Sequence, residues 1–134
     1  EMSKAIRVYR EQGKIKNGKI HFVTDLLPED FIALLRQSRC LVGNSSAGIK
    51  ECSYLGVPVV NVGTRQNKRL RGPNVIDVPH DKEQIKKAMR TQMKHGPYRP
   101  SHLYYKPGTS EAMVRILSKI PLQSQKSFYE LKEV

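Results

Sequence analysis

The chain has 134 residues, the size of one domain whose core needs no covalent staples. Its 24 lysines and arginines outnumber 12 acids, and the resulting formal charge of +12 draws anions such as phosphates, nucleic acid or acidic lipid. Apolar runs such as Val57-Pro58-Val59-Val60 are too short to span a bilayer, no apolar N-terminal h-region is visible, and two cysteines are too few for a disulfide framework.

Met2, Ile6, Val8 and Tyr9 predict a first helix, ended by Gly13. His21-Phe22-Val23 reads as a strand. Pro28-Glu29-Asp30 then suits a helical first turn, because proline fits the first position and acids fit the positive end. Phe31, Leu34, Leu35 and Ser38 share one face of that helix. Residues 40–43, 58–62 and 74–78 are short, apolar and bounded by Gly, Pro or Asn, as buried parallel strands are. A helix over residues 46–55 stops at Gly56, with Pro58 beyond it. Asp81 caps a helix to about His95, whose Ile85, Ala88, Met89 and Met93 face inward. Thr109 or Ser110 caps a last helix carrying Met113, Ile116 and Leu117. Residues 1–120 are read as one partial domain and the polar residues 121–134 as a tail. Strands alternating with helices predict an α/β fold with a parallel, Rossmann-like sheet.

The chemistry concentrates where the strand at 40–43 ends. Gly43-Asn44-Ser45-Ser46-Ala47-Gly48-Ile49-Lys50-Glu51 is a strand–turn–helix junction built from small and hydroxylated residues. Helix N-termini leave backbone N–H groups unpaired, so a phosphate fits there, with Ser45 and Ser46 adding hydroxyl donors. Ala47 and Gly48 are expected to keep bulk away from the ligand. Glu51, more than a turn along, suits the two hydroxyls of a ribose; its structural alternative is a surface acid paired with Lys50 or a neighbour. The next loop carries Arg65 out of the adjacent strand's carboxyl end, where ligands of open α/β sheets sit. Cys40 and Cys52 are expected as reduced, buried thiols. His21, His80, His95 and His102 are scattered, so no metal site is expected.

These residues converge on a family. The run from Gly43 to Glu51, then Leu55-Gly56-Val57-Pro58-Val59-Val60-Asn61-Val62-Gly63-Thr64-Arg65-Gln66, then Arg71-Gly72-Pro73-Asn74-Val75, resembles UDP-N-acetylglucosamine 2-epimerases. The resemblance is to the hydrolysing branch that makes N-acetylmannosamine for sialic acids, and extends from about Met2 to Lys119. It implies part of the C-terminal domain of a GT-B-like fold, a cytoplasmic enzyme without a cofactor, and UDP or UDP-N-acetylglucosamine as ligand. Ser45 and Ser46 would then hold the diphosphate, Glu51 the ribose and Arg65 the phosphate region. Thr24-Asp25-Leu26-Leu27 would meet uracil, with Leu26 in contact and Phe31 shaping the pocket. The reaction implied is loss of UDP, proton removal at C2 to a glycal-like intermediate, and addition of water.

No catalytic residue is expected in this chain, because the family's acid and base carboxylates lie in the N-terminal domain. That domain is an expected partner, as is a second copy in a full-length homo-oligomer. The family's His-Arg pair is absent, and Tyr104-Tyr105-Lys106-Pro107-Gly108-Thr109 stands where the family has Tyr-Gly-Asp-Gly. Arg7 and Arg10 match positions at which the animal enzymes are inhibited by CMP-sialic acid; the alternative is a basic helix face. By the same resemblance, residues 21–23 match the domain's third strand and the later three its fourth to sixth. The first two would precede this sequence, so no ladder is expected between residues 21–23 and 40–43. Two other functions fit less well. A GT-B glycosyltransferase would bind the same nucleotide, but the Gly-Thr-Arg-Gln run favours the epimerase. A nucleic-acid-binding module would interleave aromatics with its basic residues, and this chain has no Trp.

Overall fold

The computed structural model describes residues 7–8 and 20–121. Its elements are α1 (Pro28–Gln37), β1 (Leu41–Gly43), α2 (Ser46–Ile49), α3 (Glu51–Leu55), β2 (Val59–Val62), β3 (Val75–Val78), α4 (Lys82–His95) and α5 (Thr109–Leu117). The strands form one parallel sheet in the order β1-β2-β3. The register pairs Leu41 with Val59 and Val59 with Val75, so these three side chains share a face. The α/β class, the parallel sheet and the order of these strands are as expected.

The core lies on that face. Leu35 from α1, Ala47 from α2 and Cys52 from α3 cluster with Val57 and Val59, and Phe31, Leu41, Leu55 and Val75 pack around them. Gly48 is what lets α2 lie on the sheet, since a Cβ there would come within 2.9 Å of Val59 Cγ1. Its open side therefore faces the sheet rather than a ligand. Gly56 ends α3 in the left-handed conformation, as the stop signal predicted.

α4 packs on β2 and β3. Its N-cap is Asp81, whose Oδ1 accepts from the Gln84 N–H at 2.8 Å. The inward face departs from expectation. Ala88 is buried, but Met93 is exposed and Gln92, which hydropathy assigns to the surface, is fully buried. Its Nε2 donates to Val59 O at 2.7 Å and Asn74 O at 2.8 Å, while Tyr98 donates to its Oε1 at 2.8 Å. A buried amide is tolerated because all three bonds are made.

Four further expectations are corrected. Residues 21–23 form no strand and are exposed, and the sheet of the described residues is β1-β2-β3 without them. Accordingly no ladder joins them to β1. Leu34 of α1 is exposed and only Leu35 is buried there. The helix expected over residues 46–55 breaks at Lys50 into α2 and α3. The last helix is capped by Gly108 in the left-handed region, with no side-chain cap from Thr109 or Ser110. The first helix shows only Arg7 and Val8 among the described residues. Gly13 and the tail from residue 122 lie outside them.

Candidate functional site

β1 and β2 end side by side, and two loops leave their carboxyl ends. The first is the turn at Asn44 and Ser45. Ser45 is the N-cap of α2, and its hydroxyl accepts from the Ala47 N–H at 3.3 Å. Ser46 begins the helix and is half-buried, while Ser45 is exposed. Because α2 is only four residues long, its macrodipole is small. Local N–H and hydroxyl donors, not the dipole, are what the turn offers an anion.

The second loop runs from Gly63 to Leu70. Gly63 has φ +80°, a left-handed conformation that a side chain would strain, so glycine suits the start of this loop. Arg65 is exposed on the turn that follows, closed by an Asn67 N–H to Thr64 O bond of 2.9 Å. Arg65 makes no ion pair among the described residues. The two loops are joined by Gln66, which is almost completely buried and donates from Nε2 to Asn44 O at 2.7 Å. That bond brings Arg65 to the same end of the sheet as Ser45 and Ser46.

Glu51 is exposed and opens α3, so it is a first-turn residue rather than one deep in a continuous helix. It forms no ion pair with Lys50, contrary to the structural alternative. It lines a concavity of about 310 Å³ with Ile32, Tyr54, Tyr104 and Tyr105. The Tyr54 and Tyr105 rings sit 4.1 Å apart, centroid to centroid. Leu26 lines a different concavity of about 500 Å³ with Val23, Thr24, Asp25, Pro28 and Phe31. Glu51 and Leu26 thus flank α1 rather than sharing one cavity. Arg7 is exposed, and Arg10 lies outside the described residues.

Both cysteines are free. Burial first, then the neighbouring Glu51 and Cys40, pushes the Cys52 thiol up to about 12, so it stays protonated. Burial also raises Cys40, against a backbone hydrogen bond that lowers it. Among the described residues no group of three or more His, Cys, Asp or Glu side chains is placed to hold a metal ion. Among them, too, no helix is long and apolar enough to cross a membrane.

Sequence reasoning passed over the residues that hold the second loop. Arg71 donates from Nε to Asp77 Oδ2 at 2.9 Å and from Nη2 to Asp77 Oδ1 at 3.2 Å. Its Nη1 donates to the carbonyls of Gln66, at 2.7 Å, and Arg69. The buried Asn61 of β2 donates to Asp77 Oδ1 at 2.6 Å. Burial alone would raise the Asp77 carboxyl, but hydrogen bonds from Arg71 and Asn61 and the Arg71 charge outweigh it and hold it below its ordinary range. The six-residue separation of Arg71 and Asp77, spanning a turn and a strand, gives no pairing signal in the sequence.

A sequence profile described as UDP-N-acetylglucosamine 2-epimerase matches residues 2–118, nearly the whole chain. The chain belongs to the UDP-N-acetylglucosamine 2-epimerase family. It is 37% identical over 114 residues to the UDP-N,N'-diacetylbacillosamine 2-epimerase (hydrolyzing) of Legionella pneumophila, covering 85% of this chain and 30% of that protein. It is 32% identical over 125 residues to the polysialic acid biosynthesis protein P7 of Escherichia coli, covering 88% of this chain and 32% of the relative. It is 35% identical over 83 residues to the UDP-N-acetylglucosamine 2-epimerase of Neisseria meningitidis serogroup B, covering 62% and 22%. The chain therefore spans about a third of the length of these curated relatives or less. Within this epimerase-family chain, the paired loops at the ends of β1 and β2 are the candidate site.

Proposed function

We propose that this chain is the UDP-binding portion of a hydrolysing UDP-N-acetylglucosamine 2-epimerase serving sialic acid or cell-surface polysaccharide synthesis. Ser45 and Ser46 hold the diphosphate from the turn at the start of α2, with Arg65 supplying positive charge. Glu51 accepts from the ribose hydroxyls, and the loop carrying Leu26 meets uracil. The Gln66 to Asn44 hydrogen bond supports this reading most directly, because it joins the two loops that the diphosphate would bridge. The named relatives act on different amido sugars, so the sugar itself is assigned only as a UDP-linked amido sugar.

The reaction proceeds by loss of UDP, proton removal at C2 and addition of water. The acid and base carboxylates come from elsewhere in the full-length enzyme, and this chain alone binds UDP without turnover. Titration calorimetry with UDP tests the site. Glu51→Ala should weaken binding by about 1–3 kcal/mol, as removal of a charged hydrogen-bond partner does. Unchanged UDP affinity in Glu51→Ala would remove the ribose role. Release of UDP from UDP-N-acetylglucosamine by this chain alone, above a Ser45→Ala/Ser46→Ala control, would overturn the division of labour.

A further inference from the structure

The loop that carries Arg65 has an electrostatic problem. Between residues 64 and 71 the sequence places Arg65, Lys68, Arg69 and Arg71 with no acid among them. Like charges this close in sequence repel one another. The loop also holds Lys68 at φ +67°, a left-handed conformation uncommon for a non-glycine residue. Left to itself, such a loop would spread and carry Arg65 away from the sheet.

One guanidinium reverses this. Arg71 is three-quarters buried or more, with 21% of its side chain exposed. Its Nε and Nη2 form a two-point pair with Asp77 on β3, and its Nη1 draws in the Gln66 and Arg69 carbonyls. Asp77 is fixed in turn by Asn61, at the end of β2. The sequence of bonds runs from the sheet through Asp77 and Arg71 to the Gln66 backbone, and from the Gln66 side chain to Asn44, next to Ser45. A lysine could not reproduce it, because a single ammonium has neither the planar fork nor the reach to serve a carboxylate and two carbonyls together.

We propose that Arg71, anchored by Asp77, is the positioning residue that sets Arg65 against the Ser45–Ser46 turn. Arg71 touches no ligand itself; its own charge is neutralised by Asp77 and its guanidinium fixes the loop's path, leaving Arg65 free for the diphosphate. This rests on the reading of Ser45, Ser46 and Arg65 as the diphosphate site.

The test is a double-mutant cycle in the full-length enzyme, with UDP as the probe and calorimetry as the readout. The variants are Arg65→Ala, Arg71→Met and the pair. Arg71→Met should weaken UDP about tenfold in the parent but less than about twofold in the Arg65→Ala background, because coupled neighbours are non-additive. Amide hydrogen exchange of residues 64–70 without ligand should speed up in Arg71→Met and stay at the parent rate in Arg65→Ala. Equal losses in both backgrounds, no loss in either, or unchanged loop exchange would each overturn the positioning role. If Arg71→Met does not fold, Asp77→Asn, which keeps the shape and removes the charge, takes its place in the same cycle. Undiminished UDP binding in Arg65→Ala alone would mark the diphosphate reading as the failure, and the positioning role falls with it.

Discussion

α4 and α5 are both amphipathic helices, yet among the described residues one is packed against the sheet and the other is not. α4 lies on β2 and β3 and buries Ala88 and Gln92. α5 buries no residue at all, and its Met113, Val114, Ile116 and Leu117 are each more than half exposed. An apolar stripe is therefore not enough to place a helix. A receiving surface is needed, and in α4 a polar side chain, Gln92, fixes the seat by bonding the carbonyls of Val59 on β2 and of Asn74 just before β3.

The contrast is sharpest at Gln92. Gln92→Leu keeps the volume but removes three hydrogen bonds: those to the Val59 and Asn74 carbonyls, the latter still accepting from the Val59 N–H, and the one that takes up the Tyr98 hydroxyl. It should destabilise the chain by about 2–4 kcal/mol in urea unfolding, since each of the three hydrogen bonds lost is worth about 0.5–1.5 kcal/mol. A loss under about 1 kcal/mol would mean that packing alone seats α4.

Gly56 and Gly108 give a matched pair. Their backbones are nearly identical, at φ 70°, ψ 18° and φ 71°, ψ 19°. A Cβ at Gly56 would run into the Tyr98 carbonyl, whereas at Gly108 its nearest neighbour is Glu111 Oε2 at 3.8 Å. Gly108→Ala should cost only the left-handed penalty of about 1 kcal/mol, and Gly56→Ala at least about 1 kcal/mol more. Equal melting temperatures for the two variants would show that the sheet side yields as readily as the periphery.

The third effect is smaller and depends on pH. The Asp77 carboxyl sits below its ordinary value of 3.8 in the folded chain. Its contribution to stability is therefore full above that value and is lost as pH falls through the lower, folded one. Asp77→Asn should flatten the acid limb of the stability profile while changing the neutral region less. An unchanged acid limb would exclude the Arg71 pairing as its source. The smallest effect belongs to α5: Met113→Ser should shift stability by no more than about 0.5 kcal/mol, as exposed positions do. A larger loss would mean that α5 is seated after all.

The same contrast explains what the sequence made legible. The Asp81 cap and the Gly56 stop were readable because each is local backbone chemistry within a few residues. The strands at β1, β2 and β3 were readable because their apolar runs are short and bounded by turn residues. Residues 21–23 carry the same signal and yet form no strand, because short apolar runs alone do not decide which segments join a sheet. Gln92 was hidden because hydropathy ranks a glutamine as surface, and only the neighbouring carbonyls make its burial sensible. The break at Lys50 has no proline or capping residue to mark it. At the site, Ser45 and Arg65 stood out from their places after strands. Arg71 and Asp77 did not, since a pairing across a turn leaves no periodic trace.

Surface loops commonly absorb insertions at little cost, because closure entropy grows slowly with length. The segment after Gly63 is different in kind. Two of its carbonyls, three residues apart, are gripped by one guanidinium that is itself pinned to the sheet. The distance between them acts as a ruler for the chain. An added residue between Gln66 and Arg69 would push one carbonyl off the guanidinium, so this stretch is fixed in length as well as in composition, while the exposed turn ahead of α5 has no such measure imposed on it.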